Sequence, residues 1–282
     1  MTQAIRTDSD ASEPLAAVVI PLHRLPLTGD EEISLRTVRE ILGKYPRFFL
    51  LPSDLSLPEG FLCGEEVLRF SEKFFTYPHG YNRLLMSACF YKAFSEYSHI
   101  LLYQLDCLVF RDELDAWCSR NYDYIGSPWL DGYGNEPGGD PVWRVGNGGF
   151  SLRKVATARA VLETRIPRGQ LYPVPPIHLP TPGFWDWLIT NLRKRIKQHM
   201  NLWTVEDELG NYAENEDRFW ALDVLKIRPD YAKPDVEEAF EFGFEIDPRR
   251  CLERTKGRLP FGCHAWGKHD REFWLQTMDG KS

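Results

Sequence analysis

Short unbroken apolar runs, each closed by a proline or a polar residue, mark the first part of the chain. Ala16-Ala17-Val18-Val19-Ile20 stops at Pro21, Arg47-Phe48-Phe49-Leu50-Leu51 stops at Pro52, and Ile100-Leu101-Leu102-Tyr103 stops at Gln104. Val67-Leu68-Arg69-Phe70 is a weaker fourth run. Apolar runs without alternation fit strands buried on both faces, as in a parallel sheet. Helical periods lie between them. Gly29-Asp30 opens one: Asp30 is placed to cap it, Glu31 and Glu32 suit its first turn, and Ile33, Val38, Ile41 and Leu42 give an apolar face ending at Gly43. Tyr81 to Tyr97 predicts the longest helix, with Leu84, Leu85, Ala88, Tyr91 and Phe94 near helical spacing and no Gly or Pro. The order β-α-β-(β)-α-β predicts an α/β fold, a mostly parallel sheet flanked by helices.

The middle of the chain is turn-rich. Residues 131–149 concentrate glycine and 165–183 concentrate proline, and long loops inside a domain are usually functional. No repeat and no linker interrupts the pattern, so residues 15–282 read as a single domain behind a polar, disordered tail, 1–14.

Composition narrows the function. Apolar content of 43% with 9 Trp supports a packed core, and a net charge of -7 argues against a nucleic-acid partner. The 6 cysteines form no Cys-x-x-Cys pair and read as reduced packing residues. No apolar run is long enough to span a membrane, and a cytoplasmic location is expected.

Four constellations carry candidate chemistry. Asp106, with Gln104 before it, follows the buried run 100–103, where a carboxylate needs a partner such as a divalent cation, an arginine or a turn to cap. Asn147-Gly148-Gly149-Phe150-Ser151-Leu152-Arg153 combines glycines that let backbone approach a ligand closely with a strand that starts at once. Glu214-Asn215-Glu216-Asp217-Arg218-Phe219 places acids at a helix start, as caps or as a base for a hydroxyl proton. Pro260-Phe261-Gly262-Cys263-His264-Ala265-Trp266 holds a lone imidazole, a core residue or a metal ligand. A basic amphipathic helix at 185–197, with Trp185, Leu188, Leu192 and Ile196 on one face, packs on the sheet or makes peripheral contact with an anionic inner-membrane surface.

Taken in order, Gln104-x-Asp106, Tyr122-Asp123-Tyr124-Ile125-Gly126-Ser127-Pro128-Trp129, Val145 to Arg153, Asn215-Glu216-Asp217 and Gly262-x-His264 resemble a family of bacterial and fungal glycosyltransferase-like domains with the GT-A fold, over about residues 15–270. The resemblance implies a nucleotide-sugar donor, a glycan or lipid-linked acceptor, and a role in bacterial surface polysaccharide synthesis. It implies Mn²⁺ or Mg²⁺ held by Asp106 and His264, with Gln104 where the family carries its first Asp, a departure that lowers the charge offered to the cation. It casts Asp217 as base with Glu216 binding acceptor or sharing that role, Asn147, Gly148 and Gly149 at the donor, Arg153 contacting the donor phosphate or forming a salt bridge elsewhere, and Trp129 and Trp143 stacking on acceptor sugars. Two other readings stay open: a nucleotidyltransferase, which lacks here a basic Gly-rich phosphate loop near the first strand, and a non-catalytic carbohydrate-binding or scaffold protein on the same frame.

Overall fold

A computed structural model describes residues 16–76, 79–131, 142–172, 192, 195–210 and 212–280. The tail 1–14, most of the two turn-rich loops, and the greater part of the helix expected at 185–197 lie outside the described residues.

The strands are β1 Ala16–Pro21, β2 Arg47–Pro52, β3 Glu66–Phe70, β4 His99–Tyr103, β5 Leu108–Val109, β6 Tyr124–Gly126, β7 Pro128–Asp131, β8 Val142–Val145, β9 Phe150–Lys154, β10 Gly243–Phe244 and β11 Gly262–Cys263. The helices are α1 Gly29–Ile41, α2 His79–Leu85, α3 Ala88–Lys92, α4 Leu114–Ser119, α5 Val155–Glu163, α6 Val205–Leu209, α7 Glu216–Ala221, α8 Val236–Phe242, α9 Pro248–Arg254 and α10 Arg271–Asp279. Six strands form the central sheet in the order β3-β2-β1-β4-β9-β6. β1, β2, β3 and β4 run parallel, and only β9 runs against its neighbours. The mostly parallel sheet expected from the apolar runs is therefore present.

Successive residues of each run point to opposite faces, and both faces are covered. Ala17, Val19, Leu50, Ile100 and Leu102 pack beneath α3 and α5, whereas Val18, Ile20, Phe49, Leu101 and Tyr103 pack beneath α1. This two-sided burial is why the strands show no polar alternation.

Two local expectations change. Thr28, not Asp30, caps α1, because Thr28 and Glu31 form a reciprocal capping box that leaves Asp30 in the first turn. The helix expected from Tyr81 to Tyr97 breaks at Met86-Ser87 into α2 and α3. There the Leu85 carbonyl accepts from Tyr91 Oη at 3.1 Å and Trp220 Nε1 at 3.2 Å, and Ser87 Oγ donates to Leu84 O at 2.7 Å. The Ser87 hydroxyl takes the Leu84 carbonyl locally, and Tyr91 with the distant Trp220 takes that of Leu85, so neither carbonyl continues the helix.

Chain direction brings the site together. After β1 the chain moves to β2 and β3 on one side, then returns to β4 on the other. The crevice at the carboxyl ends of β1 and β4 is thus a topological switch point, the place where open α/β sheets bind ligands. A cavity of about 380 Å³ lies there, lined by Pro21, His23, Phe75, Tyr81, Gln104 and Asp106 among others.

Candidate functional site

The apolar strand β4 delivers Gln104 and Asp106 directly into the crevice. A second, three-stranded sheet, β10-β11-β5, brings two further groups to the same place. β10 and β11 are parallel with Phe244 opposite Cys263, so the next residues, Glu245 and His264, emerge side by side. β5 runs antiparallel to β11 with Leu108 opposite Cys263, which sets Asp106 just before β5 at the same end. The Asp106 carbonyl is tied there by the Trp266 N–H at 3.1 Å.

His264 Nε2 lies 3.4 Å from Asp106 Oδ1 and 3.2 Å from Gln104 Oε1. Its Nδ1 lies 2.9 Å from Glu245 Oε1. Burial disfavours the His264 cation, but the charges of Asp106 and Glu245 outweigh that cost and push its pKa up to about 9. Asp106 is half exposed, yet its Oδ1 is buried without a hydrogen-bond partner among the described residues, since the approach to His264 is off the line of a bond. An orphaned carboxylate oxygen beside an imidazole nitrogen and an amide oxygen is a donor set that suits Mn²⁺ or Mg²⁺. Cys107 also has its sulfur within 4.8 Å of this group. Its thiol is fully buried, pushed up by that burial, and donates to Gly149 O at 3.4 Å, so it belongs to the core.

The buried loop 146–149 runs beside Gln104 and His264, held at every residue. Tyr124 Oη donates to Gly146 O, and to Asn147 O at 2.9 Å. The Asn147 N–H donates to Ser127 O at 3.0 Å, and Gly149 O accepts from Gln104 N at 3.0 Å. A Cβ on Gly149 would fall inside the contact radius of His264 Nε2 and lie 2.8 Å from Gln104 Oε1. A Cβ on Gly148 would collide with Glu216 Oε1 and lie 3.0 Å from Asp217 Cβ. The glycine pair therefore abuts the Asp106–His264 group on one side and the acidic start of α7 on the other, and the reason for glycine at both positions is close approach.

At that helix start the two acids differ. Glu216 is buried and lies fork to fork on Arg153, with Nη1–Oε2 and Nη2–Oε1 both at 2.8 Å. Arg153 is itself 1% exposed and gives its remaining hydrogens to Ser151 Oγ, Tyr91 Oη and Gly148 O. The guanidinium expected at a donor phosphate is thus turned into the core beneath the loop, because Glu216 and three neutral acceptors satisfy it there. Among the described residues Asp217 has no such partner: its Oδ1 accepts the N–H of Arg218, at 2.8 Å. Burial, with the Glu216 charge behind it, pushes the Asp217 carboxyl up to about 7.

Of the remaining residues singled out in the sequence, Trp129 is partly buried with its ring flat against Gly146, where a Cβ would enter the ring. The Trp143 side chain lies outside the description. Glu245 was missed. Its signal was an acid after Phe242-Gly243-Phe244, the same strand-then-carboxylate pattern that marks Asp106, in a shorter run. All six cysteines are free; Cys107, Cys118, Cys251 and Cys263 are buried, as expected of packing residues, whereas Cys63 and Cys89 are exposed and do not pack in the core.

A family model described as "Protein of unknown function (DUF5672)" matches residues 65–264, and the chain belongs to that family. No curated protein matches it. Among solved structures it is similar to the apo form of the glycosyltransferase GlyE of Streptococcus pneumoniae, at 13% identity and a TM-score of 0.42, over 92% of this chain and 59% of that one. It therefore spans about three fifths of the length of GlyE. The galactosyltransferase LgtC, in complex with donor and acceptor sugar analogs, aligns at 12% identity and a TM-score of 0.43, over 88% of this chain and 86% of that one. Mouse xyloside xylosyltransferase 1 aligns at 9% identity and 0.41, over 88% and 96%. Every TM-score is below 0.5, and the functional reading rests on the site's own residues.

Proposed function

We propose that this member of the DUF5672 family is a divalent-metal-assisted glycosyltransferase that moves a sugar from a nucleotide-sugar to a glycan or lipid-linked acceptor with inversion. One observation carries the reading. The Gly148-Gly149 pair separates a donor set that suits a metal, Asp106 with His264, from a carboxyl whose pKa is raised to about 7, Asp217. A single-displacement transfer needs an acid-stabilised leaving group on one side of the reacting carbon and a base on the other.

Asp106 and His264 would hold Mn²⁺ or Mg²⁺, with Gln104 Oε1 as a neutral oxygen beside them. When bound, the cation neutralises charge developing on the departing nucleoside diphosphate. The nucleoside occupies the cavity at the end of β1, against Phe75 and Tyr81. Asn147, Gly148 and Gly149 bring their backbone to the sugar, where a side chain would be in the way. Asp217 takes the proton of the attacking acceptor hydroxyl. Its pKa near 7 suits a base that must accept a proton in one step and release it to solvent in the next. Glu216 does not share that task; it and Arg153 hold the base in place. Trp129, whose ring lies against Gly146, is the candidate for the acceptor side.

A lipid-linked acceptor accords with one further feature. Leu192, Ile196 and Met200 recur every four residues and are about half exposed or more, at 56%, 49% and 60%, and the sequence between the first two is the basic run Arg193-Lys194-Arg195. An apolar stripe on a basic helix suits the surface of an anionic bilayer. Co-sedimentation with phosphatidylglycerol vesicles should fall when Leu192 and Ile196 become Ser, and unchanged binding would remove the membrane from the proposal.

Thermal denaturation with UDP, GDP, CDP or dTDP, each in Mn²⁺, Mg²⁺ or EDTA, tests the donor site. A ligand that binds only the folded chain raises its apparent stability by mass action. The reading expects a metal-dependent rise with one nucleotide, abolished in Asp106→Ala. A rise that survives Asp106→Ala and EDTA would place the nucleotide elsewhere and defeat the metal-assisted scheme.

A further inference from the structure

Glu245 has so far only a location. Its carboxylate is 14% exposed, and a charge so enclosed is costly unless hydrogen bonds meet it. A carboxylate only accepts, so the 2.9 Å contact between Glu245 Oε1 and His264 Nδ1 carries the hydrogen of the imidazole. Asn147 Oδ1 accepts the Phe150 N–H at 3.1 Å, so the amide is oriented and its Nδ2 is left only to donate. Nδ2 lies 2.8 Å from His264 Nδ1. With Nδ1 donating to Glu245, the Asn147 amide lies against that nitrogen and does not bond to it. The Nδ1 hydrogen of His264 is thereby committed to Glu245. The other nitrogen, Nε2, faces Asp106 Oδ1.

We infer that Glu245 is a positioning residue that fixes His264 as an Nε2 ligand for the divalent cation, an inference that rests on the metal-assisted reading. A carboxylate behind a ligating imidazole sets its tautomer and ring orientation and raises its strength as a ligand. Glu245 is reached through β10, which no spacing in the sequence connects to β4.

The test is Mn²⁺ affinity, read by electron paramagnetic resonance of the free ion, on the full chain, Glu245→Ala and Glu245→Gln, with an unfolding midpoint for each. Glu245→Ala should bind Mn²⁺ roughly 10–100-fold more weakly, the usual cost of removing such a partner. Glu245→Gln keeps an acceptor for the Nδ1 hydrogen and should fall between the two with an unchanged midpoint, so the test survives if the alanine variant fails to fold. Long-range proton–nitrogen NMR of the Mg²⁺-loaded chain should place the His264 hydrogen on Nδ1. Wild-type affinity in both variants, or a hydrogen on Nε2, would overturn the inference while leaving the metal-assisted reading in place. Absence of Mn²⁺ binding by the wild-type chain would overturn both.

Discussion

Arg153 and Glu216 meet fork to fork, 2.8 Å through each arm, directly beneath Gly148. The pair joins β9 to the first residue of α7 and so fixes the height of the next residue, Asp217, against the glycine loop. Glu216→Gln removes one charge and leaves the Arg153 guanidinium buried and unmatched. The expected loss is about 3–5 kcal/mol of stability, measurable by urea unfolding. A loss below about 1 kcal/mol would mean that water reaches the pair. Arg153→Lys should also be poorly tolerated, since one ammonium cannot reproduce two parallel bonds.

Asp217 links activity to stability through pH. Transfer should rise as pH increases through about 7, because only the ionised carboxylate accepts a proton. Asp217→Asn should cost about 10²–10⁴-fold in kcat, with donor affinity kept.

The stability effect has the opposite sign. A carboxyl whose folded pKa is raised binds its proton more tightly in the folded chain, so it contributes stability below pH 3.8, its ordinary pKa, and loses that contribution as pH climbs to about 7. Asn does not titrate. Asp217→Asn should therefore melt higher than wild type at pH 8, by a few degrees or so, and the gap should close by pH 4. A variant that melts lower than wild type at pH 8 would refute burial as the source of the shift.

Gly149→Ala probes the close approach. The added methyl collides with His264 Nε2 and crowds Gln104 Oε1, so the imidazole must move away from Asp106. Overpacking of this kind costs about 1–3 kcal/mol. Calorimetric titration should show Mn²⁺ affinity falling far more than at Gly29→Ala, where a Cβ meets nothing within 4 Å. Equal affinities in the two variants would place the cation away from His264.

Gln104→Asp adds a second carboxylate to the group. More ligand charge tightens binding of a hard cation. Mn²⁺ affinity should rise several-fold by the same titration, at a cost in nucleotide affinity if the Gln104 amide holds the ribose. A fall in Mn²⁺ affinity would show that residue 104 faces away from the ion.

The β-strand frame was legible because burial on both faces writes itself into local sequence: runs such as Val18-Val19-Ile20 and Leu50-Leu51 need no distant information. Asp106 was legible for the same reason, as a charge set against an apolar run. The helix through Met86-Ser87 was misread because its break depends on Tyr91 and Trp220, which take the Leu85 carbonyl from outside the local period. Arg153 was open to a phosphate or a salt bridge, and only the fold supplied Glu216. Glu245 was invisible as a partner of His264 until β10 and β11 paired in parallel register. Residue type and spacing thus determined which side chains were available for chemistry, while tertiary pairing decided which of them meet, since a hydrogen bond or a metal shell is set by distance in space and the chain encodes that distance only after it has folded.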